Sequence, residues 1–272
     1  MVTEIELKYS LLESHNSASA LQVKATICQL LNENDLTFEH REKQLSNHYF
    51  DTENLSLRQH RIALRTRGTA HKGSDECFEQ TIKTSGTVIA GLHQRPEYNV
   101  DIEDGKPILA LFPDSIWQAK SGIDVEQLQQ NITELFSTNF TRHTWLVTLA
   151  DAQVEIAFDS GEVACQGYDN KPSIYEIELE LVSGDAKALF FLTKILFSKL
   201  TLRPGLLTKA ARGYALYHQS LAQNRNNNLA NTNKKAPTMT ALYNIDSIDQ
   251  ASQAMITLSK DSQLVEAFKQ GI

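Results

Sequence analysis

Charged and apolar side chains alternate along residues 174–182, and this period of two restricts the segment to a β-strand. Glu176, Glu178 and Glu180 fall on one face of that strand, while the odd-numbered positions between 174 and 182 carry tyrosine, isoleucine or leucine. A half-buried strand normally presents a loose mixture of polar residues to water. A row of carboxylates is more ordered than such a mixture, and it indicates a specific environment for the charges.

The same alternation recurs along the chain, and the sign of the charge varies from strand to strand. Residues 2–11 place Glu4, Glu6 and Lys8 on one face. Strands further along carry cations at alternate positions, and these cations are Arg65, Arg67, Lys83, Arg95 and Arg142. The carboxylates are therefore concentrated on the first and last strands, and the cations on the strands between them.

Other segments have a helical period or a turn signal. Helices are predicted at about residues 17–34, 124–136, 185–200 and 206–222. A strand at residues 154–159 carries Glu155 and Asp159, and Ser160-Gly161 is predicted as the hairpin turn that follows it. The polar, asparagine-rich segment 223–237 is predicted to be a flexible linker.

Two architectures fit these elements. In the first, an open antiparallel sheet packs its apolar face on helices and leaves its charged face in water. In the second, the sheet closes into a barrel whose charged face lines a lumen and whose apolar outer face is covered by helices. Charges in a lumen need partners, because unpaired buried charges are heavily penalised. Opposite charges could pair with each other, or arginine and lysine could bind phosphoryl oxygens while carboxylates hold Mg²⁺ or Mn²⁺.

Composition narrows the possible partners. The 272 residues have 41% hydrophobic side chains and a formal net charge of -7, which argues against a general nucleic-acid binder. Cys28, Cys77 and Cys165 show no metal-finger spacing and are expected to be reduced thiols. No signal peptide or membrane-spanning stretch is evident, so we expect a cytoplasmic protein without a membrane partner, and we favour a monomer.

The run Glu4-Ile5-Glu6-Leu7-Lys8 is an ExExK motif, and companion segments follow it in order. The companions are NHYFDT from Asn47, LRTRG from Leu64, TIK from Thr81, RPEYN from Arg95, EIAFDSGEV from Glu155, EIELEL from Glu176 and LTKAARGY from Leu207. Together they resemble the CYTH family, also called triphosphate tunnel metalloenzymes. The resemblance implies an α+β fold in which a closed, eight-stranded antiparallel barrel forms a tunnel with a charged lumen and helices outside.

The resemblance is closer to bacterial inorganic triphosphatases in which a CYTH domain precedes a helical CHAD domain. It implies a CYTH tunnel domain over residues 1–222, the linker at 223–237, and the start of a truncated CHAD-like segment at 238–272. The implied activity is metal-dependent hydrolysis of inorganic triphosphate to diphosphate and phosphate, with two Mg²⁺ or Mn²⁺ ions.

The resemblance also implies roles for individual residues. Catalysis is expected from Glu4, Glu6, Lys8 and Glu178. Metal ligands are expected among Glu4, Glu6, Asp159, Glu176, Glu178 and Glu180. Triphosphate is expected to bind Lys8, Arg65, Arg67, Lys83, Arg95, Arg142, Lys209 and Arg212. Lys209 and Arg212 stand three residues apart on one helix face, and that face could instead be solvated. Arg142 could pair with Glu155 and not with the substrate.

Three alternatives remain open at this stage. A thiamine triphosphatase or an adenylate cyclase would use the same scaffold, although no nucleoside-recognition motif is evident. A polyphosphate-binding module without turnover would belong to a different class of protein. The carboxylates argue against such a module, because Glu4, Glu6, Glu178 and Glu180 repel phosphate unless a metal ion is present.

Overall fold

The chain folds into one large antiparallel sheet with helices around it. The computed structural model describes residues 2–12, 17–70, 76–89, 92–118, 123–205 and 207–230. The strands are β1 (Val2–Leu11), β2 (Thr37–Asp51), β3 (Ala63–Ala70), β4 (Cys77–Lys83), β5 (Thr87–Ile89), β6 (Leu92–Ile102), β7 (Thr133–Thr148), β8 (Gln153–Ala164), β9 (Ser173–Ser183) and β10 (Leu202–Pro204). The helices are α1 (Ser17–Glu33), α2 (Ser56–Gln59), α3 (Asp114–Gln118), α4 (Val125–Asn131), α5 (Lys187–Phe197) and α6 (Lys209–Ala230).

The sheet closes on itself into an eight-stranded barrel. The strands follow the order β1-β9-β8-β7-β2-β3-β4-β6, and β6 pairs with β1 to complete the ring. Every pairing in the ring is antiparallel. The short strand β5 pairs with β6, and the short strand β10 pairs with β1. The closed barrel with helices outside is confirmed, and the open sheet is excluded.

The apolar outer face of the barrel packs against α1 and α5. Ile27 and Leu31 of α1 and Leu189 of α5 are fully buried against strand residues such as Ile156 and Leu179. This burial accounts for the alternation in the sequence, because the odd-numbered residues of β9 face the helices while its glutamates face the lumen. Leu21 of α1 lies outside this packed face and is 67% exposed.

Helix α6 packs across one end of the barrel. Gly213 lies so close to the Phe136 ring that a Cβ atom at this position would overlap the ring. Tyr214 meets the same ring edge-on at 5.2 Å, and Leu216 joins the apolar cluster there. This end of the lumen is therefore filled by side chains of β2, β7 and α6.

Three predictions about element boundaries are wrong. Strand β8 runs straight through Ser160-Gly161, where a hairpin turn was predicted. The helix predicted at 124–136 ends at Asn131, and β7 begins at Thr133. Helix α6 continues to Ala230, so the first part of the predicted linker is helical. The rest of that linker and the CHAD-like segment lie outside the described residues.

None of the described helices has the length and apolarity needed to cross a membrane.

Asp51 connects the end of β2 to α2 and α6. Its side chain is completely buried. One carboxylate oxygen accepts the backbone N–H groups of Thr52 and Leu57, each at 2.8 Å. The other oxygen accepts the N–H of Arg58 at 2.9 Å and the hydroxyl of Tyr214 at 3.2 Å. Four donors surround this carboxylate, so its role is to fasten α2 and α6 to the barrel.

We predict that Asp51→Asn lowers the free energy of unfolding by about 2–4 kcal/mol, because the amide NH₂ must face donors that now lack an acceptor. Urea unfolding monitored by circular dichroism measures this difference. Asp151→Asn changes the same group at an exposed position and should alter stability by less than about 0.5 kcal/mol. Equal stabilities of the two variants would contradict the role given to Asp51.

Candidate functional site

The barrel lumen holds a charged cavity of about 200 Å³. Most residues predicted to form the site line it, and these are Glu4, Glu6, Lys8, Arg65, Arg67, Lys83, Arg95, Arg142, Glu178, Glu180 and Lys209. Asp159, Glu176 and Arg212 do not line it; they lie behind the lining residues, paired with them or with one another. The structure therefore gathers residues from seven strands and α6 around one cavity.

A buried ion-pair network lies where α6 meets β8 and β9. The Lys8 ammonium contacts Glu178 and lies 3.5 Å from Glu176. The Lys209 ammonium contacts Glu176 and lies 2.6 Å from Asp159 and 2.9 Å from Glu178. Burial lowers the pKa of Lys8, but the negative charges of its neighbours outweigh burial and raise it. Both lysines are thus held in the charged form.

Arg142 joins this network through two carboxylates of neighbouring strands. Its Nε and Nη2 groups donate to the two oxygens of Asp159 at 2.7 and 2.6 Å, and Nη2 also donates to Glu178 at 2.6 Å. Burial raises the pKa of Glu178, but the adjacent Lys209 and Lys8 outweigh burial and hold it well below its usual range. Glu155, suggested from the sequence as a partner of Arg142, is not its ion-pair partner.

Arg212 stands on α6 outside the cavity. It contacts Glu176, and its Nη1 group lies 3.4 Å from the carbonyl oxygen of Ser173. The predicted placement of Lys209 and Arg212 on one helix face is correct, but only Lys209 reaches the cavity. Arg212 supports Glu176 from behind, and a solvated helix face does not describe either residue.

A second group of ion pairs lies between β1, β4 and β6. Glu4 accepts hydrogen bonds from Lys83 at 2.7 Å and from Arg95 Nε at 2.9 Å. Burial raises the pKa of Glu4, but the charges of Lys83 and Arg95 outweigh burial and lower it to about 2. Lys83 also lies 2.8 Å from Glu97, a lining residue that the sequence prediction missed.

Two carboxylates on the same side of the lumen lack sufficient positive charge. Burial and the carboxylate of Glu178 raise the pKa of Glu6, although Lys8 opposes the shift. Burial, the charge of Glu4 and the charge of Glu6 raise the pKa of Glu180 to about 7. Glu6 also lies 3.4 Å from Arg95 and 3.9 Å from Lys8, so burial and neighbouring carboxylates raise the pKa of both glutamates even though cations are close to Glu6.

The opposite imbalance occurs at Arg67 on β3. Burial and the charges of Arg65 and Arg142 lower the pKa of Arg67 to about 10. Its acidic neighbour is Glu79, at a distance of 3.4 Å. Asn47 accepts a hydrogen bond from Arg67 Nε at 2.7 Å, so the Nε group is fixed in place. Positive charge is therefore in excess around Arg67.

Two sets of carboxylates could hold a divalent cation. Oxygen atoms of Asp159, Glu176 and Glu178 lie within 4.8 Å of one another, but Lys8, Lys209 and Arg142 already neutralise them. Glu6 and Glu180 form part of a second set with Glu4, and their raised pKa values show unsatisfied negative charge. Carboxylate oxygens of either set are the hard ligands that suit Mg²⁺ or Mn²⁺.

The sequence analysis missed four residues near this site, which are Asn47, Tyr49, Glu79 and Glu97. Period-two alternation could have identified the first pair, since Asn47, Tyr49 and Asp51 share one face of β2. Tyr49 stacks on Phe136 with the ring centroids 4.7 Å apart. It also lines the cavity, as Glu97 does.

We predict that the excess negative charge lowers stability as pH rises in the metal-free protein. The pKa of Glu180 is raised above that of the unfolded chain, so its stabilising effect is complete below about pH 4.5 and is lost as pH rises through about 7. Between about pH 5 and 7 this loss amounts to about 2 kcal/mol, and Glu180→Gln should abolish it. Urea unfolding in EDTA at several pH values measures the difference.

The exposed Glu126 provides the matched control. Glu126→Gln should keep the wild-type dependence of stability on pH, while Glu180→Gln should show a flatter one. The same slope in the wild type and in Glu180→Gln would mean that Glu180 does not carry the unneutralised charge.

Comparisons with known proteins agree with this architecture. Residues 3–214 match the model of the CYTH domain. The inorganic triphosphatase of Haemophilus influenzae is 33% identical over 218 residues, which make up 79% of this chain and 55% of that protein. The chain thus spans about half the length of this curated relative.

The structural comparison agrees on the fold. A Hippeastrum protein, described as a candidate adenylyl cyclase with a dominant triphosphatase activity, superposes with a TM-score of 0.52 at 18% identity. The match covers 79% of this chain and 95% of the plant protein, and it bears on the fold alone. The barrel, the ExExK strand and the family match together establish that the chain belongs to the CYTH domain family.

Proposed function

We propose that this chain is an inorganic triphosphatase that hydrolyses triphosphate to diphosphate and phosphate inside its barrel. The observation that carries the proposal is the divided charge of the lumen. One wall has excess positive charge around Arg67, and the other has excess negative charge at Glu6 and Glu180. A polyanion together with a divalent cation would satisfy both walls, and the Haemophilus relative named as an inorganic triphosphatase supports this reading.

The cations of the lumen are proposed to bind the phosphoryl groups. These residues are Lys8, Arg65, Arg67, Lys83, Arg95, Arg142 and Lys209, all of which line the cavity. Arginine suits this role because its planar guanidinium group donates two parallel hydrogen bonds to phosphoryl oxygens. Arg212 would act indirectly, because it holds Glu176 in its position against Lys209.

Glu4, Glu6, Glu178 and Glu180 are proposed as ligands of Mg²⁺ or Mn²⁺, and Asp159 and Glu176, which lie behind the lining residues, are further candidates. Two ions are expected. A bound divalent ion would neutralise phosphoryl charge and lower the pKa of an attacking water molecule. A glutamate next to that water would accept its proton. Phosphoryl transfer relies mainly on positioning and charge neutralisation, which are what these residues supply.

Under this proposal, substrate binding requires the lysine ammonium groups of the lumen to exchange their carboxylate partners for phosphoryl oxygens. The Lys8, Lys83 and Lys209 ammonium groups are all engaged with carboxylates. A phosphoryl group that recruits these ammonium groups leaves buried carboxylates uncompensated, which is costly unless another cation replaces them. Triphosphate and divalent metal should therefore bind more tightly together than either binds alone.

We predict metal-dependent release of phosphate from inorganic triphosphate that exceeds release from ATP or thiamine triphosphate at least about tenfold. The cavity of about 200 Å³ is lined mainly by charged side chains, so it favours the triphosphate over an organic group. Phosphate release is measured in parallel for the three compounds with Mg²⁺, with Mn²⁺ and with EDTA. Faster release from an organic triphosphate would favour a thiamine triphosphatase or cyclase, and binding without release would favour a polyphosphate-binding module.

We predict that Glu6→Gln lowers kcat by about 100-fold or more, because it removes a negative charge from the proposed metal set. The raised pKa of Glu6 indicates that its charge is already poorly accommodated, so the neutral glutamine should fold well. Steady-state kinetics and urea unfolding test both expectations. Glu162→Gln, at a partly exposed position outside the cavity, is the control and should keep wild-type kinetics. Equal kcat values for Glu6→Gln and the wild type would refute the assignment of Glu6.

A further inference from the structure

Tyr49 lies on the cation-rich wall of the lumen. It follows Asn47 on the inner face of β2 and pairs in register with Arg65 on β3. The residue is 5% exposed, and it lines the charged cavity. Its ring stacks on Phe136 with the centroids 4.7 Å apart and the planes 18° apart, so the phenol has a fixed orientation.

Four cations of the cavity influence the pKa of this phenol. Burial raises the pKa of Tyr49, but the charges of Arg65, Lys209, Arg67 and Lys83 outweigh burial and lower it. These cations come from β3, β4 and α6, and all of them line the same cavity. The phenol therefore shares its cavity with four of the cations that are proposed to bind the phosphoryl groups.

The Tyr49 hydroxyl is available for a ligand. Tyr214, the next tyrosine in the same aromatic stack, donates its hydroxyl to Asp51 at 3.2 Å. For Tyr49, the described residues provide no comparable hydrogen bond. Phenylalanine would fill the apolar space against Phe136 equally well, so packing does not account for the hydroxyl.

We propose that the Tyr49 hydroxyl is a substrate-binding group that donates a hydrogen bond to a phosphoryl oxygen at the α6 end of the lumen. The inference deepens the proposed function, because it adds a neutral donor to the cations of the anion site. Such a donor differs from a lysine or an arginine in one respect. It has no carboxylate partner to give up when the phosphoryl group binds, so its hydrogen bond is gained at no cost to the ion-pair network.

The test is Tyr49→Phe, which keeps the ring and removes only the hydroxyl. A hydrogen bond to a charged group corresponds to roughly a 10–100-fold change in affinity, so kcat/KM for inorganic triphosphate should fall by that factor. Triphosphate binding in EDTA, measured by calorimetry, should weaken by a similar factor. The urea midpoint should stay at the wild-type value.

Tyr214→Phe is the matched control, because it removes the other hydroxyl of the same stack. It should lower the urea midpoint by releasing Asp51, while kcat/KM stays within about twofold of the wild type. Wild-type kcat/KM and wild-type binding in Tyr49→Phe would overturn the inference, as would equal kinetic losses in the two variants.

The binding measurement separates this inference from the proposed function. A wild type that binds triphosphate without hydrolysing it would refute the triphosphatase reading, and weaker binding by Tyr49→Phe would still support the role of the hydroxyl. If the wild type hydrolyses triphosphate and Tyr49→Phe has wild-type kcat/KM and wild-type binding, only the inference about the Tyr49 hydroxyl is refuted. A wild type that neither binds nor hydrolyses triphosphate would overturn both.

Discussion

The structure depends on the pairing of Lys8, Arg142 and Lys209 with the carboxylates of β8 and β9. Closing the sheet removes these groups from water, and an isolated charge in such a place is costly. The pairing makes closure possible, and Lys209 brings α6 to the end of the barrel. Removal of one partner would strand a buried charge, so Lys8→Ala is a poor test of catalysis even though Lys8 is a proposed catalytic residue.

The period-two pattern predicted which face of each strand carries charge, and the structure agrees for β1, β3, β4, β6 and β9. The pattern could not distinguish an open sheet from a barrel, since both place apolar residues on one face and charges on the other. Family resemblance favoured the barrel. The pairing between β6 and β1 that closes it is a contact between distant residues, and local alternation carries no information about such contacts.

Local signals failed where tertiary contacts outweighed them. Ser160-Gly161 has the composition of a turn, but Gly161 lies within β8. The position requires glycine because a Cβ atom there would overlap the backbone of Asn139 and Phe140 on β7. Glycine at this position allows two strands to approach closely, and it does not form a turn. The helix after Asp124 was correctly placed at its start, where the Asp124 side chain accepts the N–H of Gln127. Its end was missed, because pairing with β2 extends β7 back to Thr133.

The unequal neutralisation of the lumen was also beyond the sequence, because it depends on depth and on distances across strands. Glu4 and Glu180 look equivalent in the sequence, as glutamates of two ExE pairs. In the structure, Glu4 lies between two cations, whereas Glu180 faces other carboxylates. The first ends with a pKa of about 2 and the second with about 7. Equivalent residues of the two ExE pairs thus have different surroundings: Glu4 fixes the cations of β4 and β6, whereas the role proposed for Glu180 is to bind a cation from solution.

This division also bears on how the lumen can select its ligands. A network with every ion paired would gain little from any ligand, and a network of one sign would not fold. The observed lumen lies between these limits, since most charges are paired and the remainder are segregated by sign. A lone anion would satisfy one wall and increase the repulsion at the other, and a lone cation would do the reverse. A ligand pair of opposite charge, small enough for both walls to reach it, would add a favourable partner at each wall without increasing the repulsion at the other.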